Sequence, residues 1–215
     1  MPTSGYALQA RHLHYRFGPV PALRDVSVGL QWGAVTAIAG PNGAGKSTLV
    51  EILAGVRRPG FGTVECDSGI ALVVQRVATP DTLPLTVRDV VAMGTWGRRR
   101  DQAARITRAG RRERVDHALE RVRLEGLAGR PFNQLSGGQR QRALLAQGIA
   151  RQARVFLLDE PAAGLDRESR MRTRSILAAE ARRGAAVACV SHDEESIAAA
   201  DAVVRLDAGR LLGQV

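Results

Sequence analysis

This sequence of 215 residues is short of lysine, cysteine and aromatic side chains. Lysine and arginine together number 31, and because Lys46 is the only lysine, the other 30 are arginine. Aromatic residues make up 4% of the chain. Cys66 and Cys189 lie far apart with no partner at metal-binding spacing. We therefore expect reduced, packed thiols, and neither a disulfide framework nor a structural zinc site.

Long apolar runs are also missing. The apolar runs that are present, such as 185–190 and 155–158, are far too short to cross a bilayer. The first residues, MPTSGYALQARHL, lack the basic-then-apolar order of a secretory signal, so we expect a cytosolic location. With 45% hydrophobic and 24% charged residues, the composition is that of a folded protein with one large domain, or one domain with an embedded subdomain.

The net charge of +10 is concentrated in the segment 97–114, GRRRDQAARITRAGRRER. A solvated, charged connector is the favoured interpretation, because blocks of like charge are usually exposed. A contact surface for nucleic acid is the alternative. The segment has no aromatic side chain on which a base could stack, which weakens that alternative.

Glycine and proline divide the N-terminal part into short predicted strands. The strands YALQARHL and DVSVGL are separated by a predicted turn at FGPVPA. The apolar run AVTAIAG at 34–40 is typical of a buried strand, and KSTLVEILAG after it predicts a helix that ends at Gly55. GTVEC and IALVVQ predict two further strands.

The middle of the chain is predicted to be helical and the last part to alternate between strands and helices. Helices are predicted at 86–95, at RERVDHALERVRL and after LSGG at 135–138. The second carries Val115, Ala118, Leu119 and Val122 at the spacing of an amphipathic helix. VFLLDEP and AAVACVSH then predict strands, each followed by a helix, and the chain closes in a hairpin turning at Ala208-Gly209. This alternation predicts an α/β core at 1–77 and 151–215 with a mainly parallel sheet, and a helical insertion at 78–150.

The segment 40–48, GPNGAGKST, explains the single lysine. It matches G-x-x-x-x-G-K-[ST] between a predicted strand and helix, the context of a phosphate-binding P-loop. Gly40, Gly43 and Gly45 allow backbone N–H groups to converge on phosphate oxygens at a helix N-terminus. Lys46 would reach the β- and γ-phosphates and Ser47 would bind Mg²⁺. An ammonium fits between two phosphates where a wider, planar guanidinium does not.

Four predicted strands end in polar residues that would meet at one edge of a parallel sheet. They end at the P-loop, Gln75, Asp159-Glu160 and His192. Each has a plain alternative explanation, such as a loop or turn residue, but their coincidence favours one site. Asp159 is placed to support Mg²⁺, Glu160 to orient or deprotonate the attacking water, and His192 to hydrogen-bond the γ-phosphate.

The segment 135–151, LSGGQRQRALLAQGIAR, adds a family resemblance. Together with GPNGAGKST, Gln75, VFLLDEP, AAGLD at 162–166 and SHD at 191–193, it resembles the ATP-binding subunit of ABC transporters. The resemblance covers nearly all of 1–215 as a single domain. It implies a P-loop NTPase (RecA-like) α/β core with a mainly parallel sheet, an N-terminal antiparallel β subdomain and an inserted helical subdomain.

The resemblance also implies ATP and Mg²⁺ as ligands, and a head-to-tail homodimer with two ATP molecules at its interface. Tyr15 would stack on adenine, Gln75 would link the nucleotide to the helical subdomain and bind Mg²⁺, and Asp166 would communicate across the interface. The implied nucleotide-binding residues are Tyr15, Gly40, Pro41, Asn42, Gly43, Ala44, Gly45, Lys46, Ser47, Thr48, Ser136, Gly137, Gly138, Gln139 and Asp166. The implied catalytic residues are Glu160, His192, Lys46 and Gln75, and the implied Mg²⁺ ligands are Ser47, Gln75 and Asp159. One departure is Ala163, where many relatives carry Ser or Thr.

By the same resemblance, the chain would be an ATP-hydrolysing subunit that docks on separate permease subunits at the inner face of the cell membrane. An extracytoplasmic solute-binding protein would be an indirect partner of this subunit. The LTVRDVVAMG stretch is similar to ATPases of zinc- and manganese-type uptake systems. The alternatives are an iron-siderophore or haem importer, an exporter, and a soluble ABC ATPase acting on nucleic acid or ribosomes. The last usually carries a second ATPase unit or a long coiled coil, for which 215 residues leave no room.

Overall fold

The computed structural model describes residues 5–73, 84–96, 106–161 and 164–214, and within these ranges the chain forms nine strands and six α-helices. The strands are β1 (Tyr6–Phe17), β2 (Val20–Gln31), β3 (Val35–Ala39), β4 (Phe61–Glu65), β5 (Ile70–Val73), β6 (Val155–Leu158), β7 (Ala186–Val190), β8 (Ala202–Asp207) and β9 (Arg210–Gln214). The helices are α1 (Lys46–Leu53), α2 (Val87–Met93), α3 (Arg108–Arg121), α4 (Gly137–Ala150), α5 (Arg167–Arg182) and α6 (Glu194–Ala198).

Six strands form one sheet in the order β5-β6-β7-β3-β8-β9. The first five are parallel, and only β8 and β9 pair in antiparallel fashion. All four residues of β6 are buried, as expected for a strand inside a parallel sheet. Val73 pairs with Leu158 and Leu158 with Cys189, so the carboxyl ends of β5, β6 and β7 are level. The predicted mainly parallel sheet is confirmed.

The second sheet is antiparallel, with the order β2-β1-β4, as the family resemblance implied for the N-terminal part. The predicted FGPVPA turn was too long. The strands continue until Phe17 pairs with Val20, and Pro21 pairs with Arg16 inside β2. Because β2 is an edge strand of this sheet, the missing N–H of Pro21 is tolerated there. Gly18, with φ of 55°, lies in the turn between the two strands.

The described residues divide into two compact units. One contains 5–73, 154–161 and 177–214, with both sheets; the other contains 84–96, 106–153 and 164–176, with α2, α3 and α4. The second unit includes 164–176, a stretch that the sequence analysis had placed in the α/β core. No helix in the described part of the chain is both long and apolar enough to span a membrane.

Helix α3 packs in the second unit through the face that its periodicity predicts. Val115, Ala118, Leu119 and Val122 are all buried, with at most 2% of their surface exposed. The buried side chain of Arg142, from α4, lies under the end of this helix. Its Nη1 donates to the backbone oxygens of Val122, at 2.9 Å, and Arg123, at 3.2 Å. Arg142 therefore satisfies carbonyl groups that the helix terminus leaves without partners.

Replacing Arg142 by Met is expected to lower the free energy of unfolding by about 2 kcal/mol, because two carbonyl oxygens at a helix end lose a charged donor. Burial lowers the pKa of the Arg142 guanidinium, and Arg172 and Arg123 repel it, so part of this loss is offset. Urea denaturation measures the change. The exposed Arg111→Met is the control, expected within about 0.5 kcal/mol of wild type. Equal stability of Arg142→Met and wild type would contradict this expectation. It would mean that the cost of burying the guanidinium is as large as the stabilisation by its two hydrogen bonds.

Candidate functional site

The P-loop backbone has the conformation that its glycines predict. It connects β3 to α1, and Gly40, Gly43 and Gly45 have positive φ angles of 149°, 80° and 97°. A Cβ on Gly40 would lie 2.1 Å from the Leu206 carbonyl oxygen, and one on Gly45 would lie 2.5 Å from the Ala22 oxygen. Larger residues at these two positions would therefore displace backbone that packs against the loop.

The N-terminus of α1 is suited to an anion. Gly45 is its N-cap and supplies no side-chain hydrogen bond, and the first turn contains no acidic residue. The first N–H groups of the helix and the positive end of its dipole therefore have no anionic partner from within the helix. Of the other loop residues, Ala44 and Thr48 are buried, whereas Pro41 and Asn42 are exposed.

Lys46 is buried, with 6% of its surface exposed. Its Nζ donates to the carbonyl oxygens of Gly40 and Pro41, each at 2.8 Å. Neutral carbonyls compensate a buried ammonium less well than anionic oxygens do. Lys46 is therefore held inside the loop, and its ammonium would be compensated better by phosphate oxygens than by these two carbonyl oxygens.

Ser47 and Asp159 come from different elements and meet at the carboxyl edge of the sheet. The Ser47 hydroxyl donates to Oδ1 of Asp159 at 3.1 Å, and the Asp159 N–H donates to the carbonyl of Val73. Both side chains offer the oxygen ligands that Mg²⁺ prefers. Among the described residues no cluster of three His, Cys, Asp or Glu could hold a metal. A cation beside Ser47 and Asp159 would therefore draw most of its ligands from phosphate and water, as Mg²⁺ usually does.

Asn in place of Asp159 is expected to raise the melting temperature of the nucleotide-free protein by about 2 °C. Burial raises the pKa of Asp159 above its ordinary 3.8; the Ser47 hydroxyl opposes the rise and Glu160 adds to it. A carboxyl whose pKa rises on folding destabilises the fold in its charged form at neutral pH. Scanning calorimetry tests this. Asp25→Asn is the control. Because His12 lowers the pKa of Asp25, the melting temperature of this variant should equal that of wild type or lie below it. A lower melting temperature for Asp159→Asn would contradict the burial argument.

Glu160 and His192 each lie two residues beyond the end of neighbouring strands, β6 and β7, and face each other. His192 Nδ1 lies 3.7 Å from Glu160 Oε1, beyond hydrogen-bond length. Glu160 has φ of 47°, an unusual angle for a non-glycine residue, directly before the buried Pro161. Asp193, after His192, caps α6 by accepting from the Ser196 N–H at 2.9 Å. The structure thus brings Lys46, Ser47, Asp159, Glu160 and His192 to one edge of the sheet.

Two predicted positions lie outside the described residues. They are Gln75 and the departure at Ala163. Their assignments stay predictions.

Tyr15 is half-buried on β1, beside the apolar core of its unit. Its hydroxyl accepts from Arg57 Nη1 at 3.2 Å, and its ring meets the Phe17 ring edge-on, with centroids 5.1 Å apart. Arg57 lies 42 residues from Tyr15, and because no local pattern pairs the two residues, their contact is not predictable from sequence.

The signature residues Ser136, Gly137, Gly138 and Gln139 form the start of α4, which begins at Gly137 and thus inside LSGG, two residues earlier than predicted. Ser136 is the N-cap: its Oγ accepts from the Gln139 N–H at 3.3 Å, and Gln139 Oε1 accepts from the Ser136 N–H at 3.0 Å. This capping box explains why the helix begins inside LSGG. A Cβ on Gly138 would lie 2.4 Å from Ser169 Oγ, so glycine permits close packing there.

Asp166 is engaged locally. Its carboxylate accepts from the N–H of Ser169, at 2.8 Å, and from the Ser169 hydroxyl, at 2.9 Å. The Ser169 N–H, and then its hydroxyl, lower the pKa of Asp166. Ser169 was not among the predicted site residues, although an Asp at the position before a helix is a recognisable N-cap signal. The signalling role implied for Asp166 stays a prediction.

Comparisons with known proteins agree with this geometry. The family model described as "ABC transporter" matches residues 23–163. The zinc transport system ATP-binding protein TroB of Treponema pallidum (strain Nichols) is 35% identical over 91% of this chain and 76% of its own length. The sulfate/thiosulfate import ATP-binding protein CysA 1 of Agrobacterium fabrum (strain C58 / ATCC 33970) is 37% identical over 91% of this chain, which spans 59% of that protein.

Among solved structures, an ABC transporter assigned to the metal-chelate type, in an inward-facing conformation, is 30% identical. It has a TM-score of 0.83 and covers 97% of this chain and 82% of its own. The family match spans the P-loop, Asp159, Glu160 and the signature helix start, which are the elements described above. The chain belongs to the ABC transporter family and is an ATP-binding, ATP-hydrolysing member of it.

Proposed function

We propose that this chain is the motor subunit of an ABC importer for a divalent metal ion, zinc or manganese. It works as a homodimer on separate permease subunits at the inner face of the cell membrane, with an extracytoplasmic binding protein that supplies the cargo. The observation that carries the motor assignment is the meeting of the buried Lys46 ammonium, the Ser47–Asp159 pair and Glu160 at one sheet edge.

The proposed reaction is attack of water on the γ-phosphate of ATP. Lys46 turns from the carbonyls of Gly40 and Pro41 to the phosphates, and α1 contributes its N-terminal N–H groups. Glu160 orients the water and accepts its proton. His192, beside Glu160, donates to the γ-phosphate. Mg²⁺, held by Ser47, Asp159 and Gln75, would supply charge neutralisation at the phosphates.

The second half of the site is proposed to come from a second copy of the chain. Ser136 and the N-terminus of α4 offer a hydroxyl and backbone N–H groups to the γ-phosphate. In this proposal ATP joins two P-loops to two signature segments, and hydrolysis separates them. Asp166 lies in the same unit as the signature segment, and its partner Ser169 packs against Gly138. We propose that Asp166 communicates across the dimer interface with the second nucleotide site.

Two cargo classes have support. The zinc-system relative and the metal-chelate transporter favour a metal, as does the LTVRDVVAMG stretch. The sulfate/thiosulfate relative favours an oxyanion at similar identity.

The basic segment 97–114 is proposed to be a solvated connector. Its residues 97–105 lie outside the described residues, whereas 108–114 form the first half of α3.

Uptake by cells that carry Lys46→Ala in place of the wild-type chain distinguishes the cargoes. Radioactive zinc, manganese and sulfate are supplied in separate assays. Loss of zinc or manganese uptake with normal sulfate uptake supports the proposal. Loss of sulfate uptake alone assigns the second cargo class, and loss of none of the three rejects both.

A further inference from the structure

We propose that Arg57 is a positioning residue for the base of ATP: it fixes the ring of Tyr15 in the orientation in which adenine stacks on it. The inference rests on the proposed ATPase function and on the adenine-stacking role that the family resemblance implies for Tyr15. It adds a second residue on which recognition of the base, but not of the phosphates, depends.

Arg57 contacts Tyr15 through two kinds of interaction. Its Nη1 donates to the Tyr15 hydroxyl at 3.2 Å, and its guanidinium carbon lies 5.8 Å from the centre of the Tyr15 ring. The same carbon lies 5.1 Å from the centre of the Phe17 ring, which meets the Tyr15 ring at 78°. The hydroxyl end and the Phe17-facing side of the tyrosine are therefore both held.

Arg57 is itself anchored to α1. Its Nε pairs with Glu51 Oε2, and its backbone N–H donates to the Glu51 carbonyl at 3.2 Å. The hydrogen bond that Arg57 donates to Glu51, and after it the one that it donates to Tyr15, raise the pKa of the guanidinium. Because Glu51 and Lys46 belong to the same helix, this chain of contacts ties the Tyr15 ring to the element that begins with the phosphate-binding lysine.

The physical consequence is pre-organisation. A tyrosine ring stacks on a base only in a limited range of orientations, and a ring that is free to turn loses that freedom when the base binds. Arg57 removes this cost in advance, since the ring is already restrained by its hydroxyl and by the cation beside it. The proposed triphosphate contacts lie at the N-terminal end of α1, which begins with Lys46, and do not involve the ring.

The experiment compares a nonhydrolysable ATP analogue with inorganic tripolyphosphate, which has no base, both with Mg²⁺. Affinities are measured by calorimetry and by competition for wild type, Arg57→Met, Tyr15→Ala and the double variant. Arg58→Met, at the exposed neighbouring arginine, is the matched control. We expect Arg57→Met to weaken the analogue about fivefold and Tyr15→Ala about tenfold. Tripolyphosphate should bind all variants equally.

The double variant should bind the analogue no more weakly than Tyr15→Ala, because Arg57 acts through the tyrosine. In steady-state assays Arg57→Met should raise KM for ATP and leave kcat unchanged. Equal weakening of both ligands, or additive effects in the double variant, would overturn the inference and leave Arg57 a structural role. If Arg57→Met binds the analogue as tightly as wild type and Tyr15→Ala binds it more weakly, the inference is also overturned, but the assignment of Tyr15 to the base stands. A normal Tyr15→Ala would reject the base assignment itself.

Discussion

The Glu160→Gln variant is expected to bind ATP with nearly wild-type affinity and to hydrolyse it at least about 100-fold more slowly. The amide keeps the shape and hydrogen-bonding capacity of the side chain but no longer accepts a proton from water. Glu160 follows β6 directly after Asp159 and faces His192, so phosphate contacts through Lys46 are left intact. Phosphate release and nucleotide titration measure the two effects separately.

The same variant is expected to accumulate as an ATP-bound dimer. If ATP joins two copies and hydrolysis releases them, blocking hydrolysis preserves the joined state. Size-exclusion chromatography with ATP and Mg²⁺ should show the dimer for Glu160→Gln and a monomer without nucleotide. Glu168→Gln, an exposed carboxylate on α5, is the control and should behave as wild type. A variant that still hydrolyses ATP at a wild-type rate would remove Glu160 from the catalytic role.

The Lys46→Ala variant is expected to lose at least about 100-fold in ATP affinity, in contrast to Glu160→Gln. Two charge-assisted hydrogen bonds from an ammonium to phosphate together account for a loss of this size. Because the ammonium is buried against Gly40 and Pro41, no exposed side chain can take its place. Isothermal titration with ATP and Mg²⁺ measures the loss.

Lys46→Arg is the informative companion, since it keeps the charge and changes the shape. We expect it to bind ATP much more weakly than wild type, because the planar guanidinium does not fit the space bounded by the Gly40 and Pro41 carbonyls. Near-wild-type affinity of Lys46→Ala would contradict the phosphate role of this residue. Near-wild-type affinity of Lys46→Arg would contradict only the explanation of why this chain keeps a single lysine.

Sequence periodicity predicted the parts of the fold that depend on local pattern. The apolar runs at 34–40, 70–73, 155–158 and 186–190 became neighbouring parallel strands, and the buried face of α3 followed from its spacing. The convergence of Ser47 with Asp159, and of Glu160 with His192, followed from the rule that parallel strands end at one edge. Family resemblance predicted the antiparallel subdomain and the ABC transporter family, and both are confirmed.

Tertiary contacts account for what sequence reasoning missed. Arg57 reaches Tyr15, and Arg142 reaches the end of α3, across 42 and 20 residues respectively, and neither pair has a local signature. The first hairpin was predicted with too long a turn, because proline was taken as a breaker although edge strands accept it. The cargo could not be predicted from sequence for a different reason: a zinc-type relative and a sulfate-type relative are identical to this chain to a similar extent.

A crystal structure of Glu160→Gln with ATP and Mg²⁺ tests the central proposal most directly. The distance to measure joins the γ-phosphate to Ser136 Oγ. The proposal predicts two ATP molecules, each held by Lys46 of one copy and within hydrogen-bond distance of Ser136 of the other. An ATP molecule enclosed by a single copy, with Ser136 of every neighbouring copy remote from the phosphates, would contradict it.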